Sequence, residues 1–189
     1  MTASGLDADT VLGDSTGGAQ QLVEHLVALG HRRIGMITES DLVSTARDRR
    51  RGYEAALTEA GLGVDRELVV EGSVDPDGGR AGMRRLLRLE QPPTAVFTVN
   101  NLVALGAIEA VRESGREVPD DVALVCFDDI EYASRLHPFL TVMEQPAETF
   151  GTLGTQLLLE RIESRAPERR RKVVLPAQFV LRRSCGSAA

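Results

Sequence analysis

Short apolar runs alternate with stretches of helical spacing along most of the chain. Runs with the look of buried strands fall at 34–38, 68–71, 94–99, 122–127 and 140–143. A strand-like stretch follows at 173–181, and residues 10–12 read as the end of another strand. Between them, apolar residues recur every three to four positions at 18–29, 47–60, 77–89, 102–114 and 147–162, the period of an amphipathic helix. Gly30, Gly61 and Gly115 stand where helices end, Asp75 or Asp77 where one begins, and Pro92-Pro93 break the chain before a strand. Strands alternating with helices predict an α/β fold with a doubly wound parallel sheet. In such sheets ligands sit outside the carboxyl ends of the strands, which here carry Asn100-Asn101 and Asp128-Asp129.

The pattern leaves a mismatch. About five strands pair naturally with the helices at 47–60, 77–89 and 102–114. The helices at 18–29 (Leu22, Leu26, Leu29) and 147–162 (Phe150, Leu153, Leu157, Leu158, Ile162) then have apolar faces but no obvious sheet. This predicts a missing part of the protein or a partner chain.

Composition narrows the class. The 189 residues are 42% hydrophobic, enough for one domain or one domain plus part of another. Acidic residues outnumber basic ones, 28 to 22, for a net charge of -6, which argues against this piece gripping nucleic acid. No apolar run approaches the length of a membrane span, and the first residues lack the pattern of a signal peptide, so no membrane partner and a cytoplasmic location are expected. Cys126 and Cys185 form no metal or disulfide pattern, and Cys126 reads as a buried thiol.

Several motifs compete with plainer readings. Gly13-Asp14-Ser15-Thr16-Gly17 matches a nucleophile elbow and resembles the block of GDS-type esterases, with His137-Pro138 as base. Ser134 stands where that family has Asp, however, and the plainer reading is a capped helix start. No phosphate loop is present, and His25, His31 and His137 lack ligand spacing, so no metal or cofactor is expected. Arg47, Arg49, Arg50 and Arg51 open a helix, where cations oppose the dipole; an arginine aimed into a cleft could instead grip hydroxyls or a carboxylate. The run Arg169-Arg170-Arg171-Lys172 reads as an exposed linker. Asp128-Asp129 is open between a Mg²⁺ pair, a turn cap and a hydrogen-bonding site for ligand hydroxyls.

Three segments in register, VEHLVALGHRRIGMI at 23–37, ARDRRRGYEAALTEAGL at 46–62, and VFTVNNLVALGAIEAV through DDVALVCFDDIEYASRLHPFLTVMEQP at 96–146, resemble the lactose-repressor (LacI/GalR) family of transcription regulators. The resemblance implies a type I fold like that of periplasmic binding proteins, with a complete C-lobe and a partial N-lobe. It divides the chain into an N-lobe segment at 1–29, the C-lobe at 30–143, a return helix and linker at 144–174, and the C-lobe end and tail at 175–189. It implies a fragment of a longer protein, whose helix-turn-helix would bind operator DNA. Asp14, Arg49, Asn100, Asp128 and Gln145 match ligand-contact positions for a small sugar-like or nucleobase-like effector held between the lobes. The helix at 102–113 and the loop at 134–139 match a homodimer surface (Leu102, Leu105, Ile108, Leu136, Phe139). Departures are Asn101 in place of Asp, Val74 in place of a stacking aromatic, and Cys126 in place of Gly. The expectation is a sensor and not an enzyme. The rivals are a transporter's solute-binding protein and an esterase using Ser15.

Overall fold

The computed structural model describes residues 7–130 and 138–187. Six strands form the main sheet: β2 (Ile34–Thr38), β3 (Val69–Glu71), β4 (Ala95–Thr98), β5 (Ala123–Phe127), β6 (Thr141–Glu144) and β8 (Gln178–Val180), in the order β3-β2-β4-β5-β6-β8. All neighbours are parallel except β6 and β8. A separate parallel pair joins β1 (Thr10–Gly13) to β7 (Lys172–Leu175), with Val11 opposite Val173. The expected strand at 173–181 is therefore two strands in two sheets, divided at Pro176-Ala177. Proline has no amide hydrogen to donate and does not continue a ladder.

Helices cover both faces of the main sheet: α1 (Ser15–Ala28) and α2 (Ser44–Glu59) on one, α3 (Pro76–Leu87) and α4 (Asn101–Glu113) on the other. The period of two along each strand decides which residue meets which layer. Ile34, Met36, Phe97, Val125 and Phe127 pack with Leu22, Leu26 and Tyr53 of α1 and α2. Ile37, Val96, Leu124 and Cys126 pack with Met83, Leu86, Val103 and Ala107 of α3 and α4. Both faces are buried, so the strands read as continuous apolar runs.

This corrects one expectation. The sequence pattern leaves the helix near 18–29 without a sheet and the resemblance places it in the N-lobe segment at 1–29, but Ala19, Leu22, Val23 and Leu26 are fully buried on the main sheet. Its partners Phe97, Val125, Phe127 and Met143 lie far along the chain, beyond the reach of local pattern. By contrast, α5 (Ala147–Ile162) buries Leu157 while Leu158, Leu159 and Ile162 stay exposed, so its apolar face remains uncovered.

The small sheet is tied by charge. Asp9 accepts hydrogen bonds from the backbone N–H of Arg171 (2.7 Å) and from the guanidinium of Arg161 (2.7 and 2.9 Å). Arg171 also pairs with Glu160, and Arg170 with Asp7. The run at 169–172 is thus not a free linker: its middle two arginines clasp the start of β1 and the end of α5. The bonds from Arg171, then that from Arg161, hold the Asp9 carboxyl well below the usual carboxylate range. A depressed folded value means stability that is present above the unfolded value near 4 and lost as pH falls below it. Hydrogen exchange in β1 and β7 should therefore accelerate selectively on acidification below about pH 4, and Asp9→Asn should flatten that response. An equal acid response in the variant would show that Asp9 does not carry the effect.

Candidate functional site

Parallel strands point their carboxyl ends the same way, so the residues after β4, β5 and β6 meet at one rim of the sheet. Those residues are Asn100, Asp128 and Gln145. Arg49 comes to the same place from α2. It is only 6% exposed although it is charged. Its Nη1 donates to the Val99 carbonyl at 2.5 Å, its Nη2 lies 3.4 Å from Asp128 Oδ2, and its guanidinium carbon sits 3.8 Å above the Phe127 ring. Burial pulls the Arg49 pKa down, and the charge of Asp128 opposes that pull. A guanidinium keeps its proton under such pressure, so the group is a fixed cation in a dry setting. Its Nε is buried with no hydrogen-bond partner among the described residues.

Asp128 adopts the left-handed backbone conformation (φ 71°), which turns the chain sharply out of β5. Its backbone N–H donates to the Met143 carbonyl. One carboxylate oxygen faces Arg49, and the other accepts from Gln145 Nε2 at 2.5 Å. Gln145 is also close to Gly13, where an added Cβ would lie 2.5 Å from its Oε1, so glycine is what lets the end of β1 pass.

The structure therefore brings Arg49 and Gln145 each into contact with Asp128, and Asn100 joins them through the carbonyl of its neighbour Val99. Asn100 Oδ1 caps α4 by accepting from Val103 N at 2.8 Å. Asp14 stands one residue beyond Gly13, is exposed, and caps α1 by accepting from Gly17 N at 2.8 Å. Asn101 and Asp129 face elsewhere: Asn101 Nδ2 donates to the Asp129 carbonyl, and the Asp129 carboxylate is forked by Arg182. Because the two aspartates engage different arginines, they do not converge on one cation. Among the described residues no group of three or more His, Cys, Asp or Glu could hold a metal.

The Gly13–Gly17 motif takes the form of a capped helix start. Ser15 is the first residue of α1 and is buried, Asp14 is occupied as a cap, and His137 lies outside the described residues. Burial pushes the Cys126 thiol up, as expected for an inert core residue. Phe127 and Arg182 escaped the sequence reading. A phenylalanine ending a buried strand looks like core, and only its alternation with Asp128 hints that its ring underlies the rim.

The chain is thus a three-layer α/β lobe with a charged, donor-rich rim at its parallel strand ends, linked to a second, two-stranded sheet. A family model for a periplasmic binding protein-like domain matches residues 23–185, and the chain belongs to that family; solved structures similar to it include LacI-family regulators. It is 37% identical over 179 residues to the ribose operon repressor of Haemophilus influenzae, covering 95% of this chain and 54% of that protein. A LacI-family regulatory protein from Chloroflexus aggregans superposes with a TM-score of 0.87 at 34% identity, covering 95% of this chain and 64% of that one. The transcriptional regulator CelR, solved with cellobiose, superposes with a TM-score of 0.88 at 35% identity, covering 94% and 54%. The chain thus spans about half the length of the curated relative it matches.

Proposed function

We propose that this chain is the effector-sensing part of a LacI-type transcription regulator, binding a small polyhydroxylated or nucleobase-like molecule at the rim formed by Arg49, Asn100, Asp128 and Gln145. Asp14 contributes from the start of α1. The observation that carries this reading is the buried arginine. A cation held dry on an aromatic ring, beside a carboxylate that accepts from two sides, is a recognition device for vicinal hydroxyls or a polar ring edge. Ligand binding would bias the arrangement of the two sheets, and through it the operator affinity of a full-length protein. No chemistry is asked of the site, so this is a sensor and not an enzyme.

Dimerisation is the second part of the proposal. Leu102 and Leu105 on the outer face of α4 are exposed, with Ile108 and Phe139 half-buried beside them. Leu136, also expected there, lies outside the described residues. Sedimentation showing only monomer at micromolar concentration would remove this surface from the reading. A cytoplasmic location accompanies the role, and among the described residues no helix is long and apolar enough to cross a membrane. A transporter's solute-binding protein would share this fold, but the regulators named above favour the sensor.

Calorimetric titration with D-ribose, cellobiose, hexoses and purine bases tests the reading. One of these should give saturable heat that disappears in Asp128→Asn, with the thermal midpoint kept. A ligand bound equally well by that variant would remove the rim from consideration. Ester hydrolysis abolished by Ser15→Ala would favour the enzyme reading instead.

A further inference from the structure

Arg182 lies just past β8, outside the rim, yet it is among the most constrained charged groups in the molecule. Its guanidinium makes a two-pronged contact with Asp129, Nη1 to Oδ1 at 2.9 Å and Nη2 to Oδ2 at 2.6 Å. Both side chains are nearly dry, 13% and 11% exposed, so the pair is not a solvent-screened surface bridge. Nη1 also donates to the Leu140 carbonyl, and the Arg182 backbone exchanges hydrogen bonds with the Thr141 hydroxyl in both directions. Arg182 is thereby fastened to the start of β6 while it grips the end of β5.

What it grips is the turn that presents Asp128. That turn leaves the strand through a left-handed residue, a conformation that persists only where its surroundings hold it. Among the described residues, three elements hold it here. The Asp128 N–H is bound by Met143 O of β6, the Asp129 carbonyl by Asn101 of α4, and the Asp129 carboxylate by Arg182. The Asp129 carboxylate also accepts from the Ile130 N–H at 2.7 Å. Of the three holds, only that of Arg182 comes from the segment returning from the small sheet through β7.

We propose that Arg182 is a positioning residue of the rim: its fork on Asp129 fixes the turn that aims the Asp128 carboxylate at Arg49 and Gln145. The proposal rests on the reading of that rim as the ligand site. It also gives the segment arriving from the small sheet a hold, through Asp129, on the turn that presents the Asp128 carboxylate.

The test uses two amide protons as local reporters, those of Asp128 and Ile130. In Arg182→Gln both should exchange at least about tenfold faster, while amides in the middle of α1 and β2 keep their rates. Asp129→Asn, which spares the bond from Arg182 to Leu140, should do the same and covers the case in which Arg182→Gln fails to fold. The double variant should be no worse than the faster single one, as for two ends of one contact. D-ribose affinity should fall about tenfold or more in step with the exchange. If wild-type protein ignores D-ribose, that result concerns the effector, and the exchange arm still decides. Unchanged protection at both amides in both variants would overturn the proposal, and so would a rise spread evenly over α1 and β2.

Discussion

Arg49→Ala is expected to weaken binding of the effector by on the order of 100-fold or more, since truncating one partner of a buried charge pair costs about 2–5 kcal/mol. The fold should survive. Two effects of similar size oppose each other in the unliganded variant. The contacts to Phe127 and the Val99 carbonyl are lost, but so is the desolvation of a guanidinium that is only 6% exposed. Asp128 keeps 28% side-chain exposure and its bond from Gln145, so it can hydrate when its cation is removed. The thermal midpoint should therefore move by no more than about 4 °C, as for a change near 1 kcal/mol in a chain of this size. Arg49→Lys should fail to restore binding, because an ammonium can neither stack flat on Phe127 nor bridge two acceptors in a plane. Titration calorimetry with the ligand identified from the sugar and base panel decides this. Full affinity in Arg49→Ala would mean that the buried cation serves packing and not recognition.

Gly106→Ala is expected to give the largest loss of stability. Alanine inside a helix is worth up to about 1 kcal/mol over glycine, and α4 would gain that locally. Tertiary structure overrides it. A Cβ on Gly106 would fall 1.7 Å from the Pro76 carbonyl oxygen and 2.8 Å from Arg80 N, both backbone atoms of α3 that no side-chain rotation can move. Gly79 on α3 makes the reciprocal approach, its added Cβ falling 2.1 Å from the Val103 carbonyl of α4. The helices must part, opening the layer that holds Met83, Val103 and Ala107. Overpacking of this kind costs typically 1–3 kcal/mol and more where backbone is involved; a net loss of about 3 kcal/mol would lower the midpoint by roughly 6–12 °C. Gly151→Ala is the control: it sits in α5 facing open space and should be neutral or slightly stabilising. Scanning calorimetry on the two variants separates close helix approach from helix propensity; equal midpoints would refute the packing argument.

Where local chemistry decided the structure, the sequence was a good guide. Strand 34–38 and helix 147–162 have the bounds expected from their periods, and of the two expected caps, Asp75 and Asp77, it is Asp75 that caps α3. The helix dipole marks the four arginines at 47–51 as needing another reason to be there, and only the family resemblance separates Arg49 from the rest. Reading failed where distant residues decide. The partners of α1 are strands far along the chain, as far as β8, and nothing within α1 announces them. The clasp of Asp9 by Arg161 and Arg171 spans some 150 to 160 residues, so a basic run looked like a solvated linker. Residue type and spacing do not separate Asp128 from Asp129, and only the resemblance picks out Asp128; in the structure the left-handed turn between strand and loop sends them to different arginines.

The chain passes between its two sheets at three places: Gly13 to Ser15, Glu144 to Ala147, and Leu175 to Gln178. With one or two residues in each, and at most about 3.6 Å of reach per residue, these short tethers forbid sliding or separation and leave tilting as the soft movement. Two of the three contain a proline, Pro146 and Pro176, whose ring fixes one of the two backbone torsions. The remaining tether is Asp14 alone. A tilt would bend there first, which makes the cap of α1 the fulcrum and turns Gln145, on a stiff tether beside Asp128, into the lever that feels it.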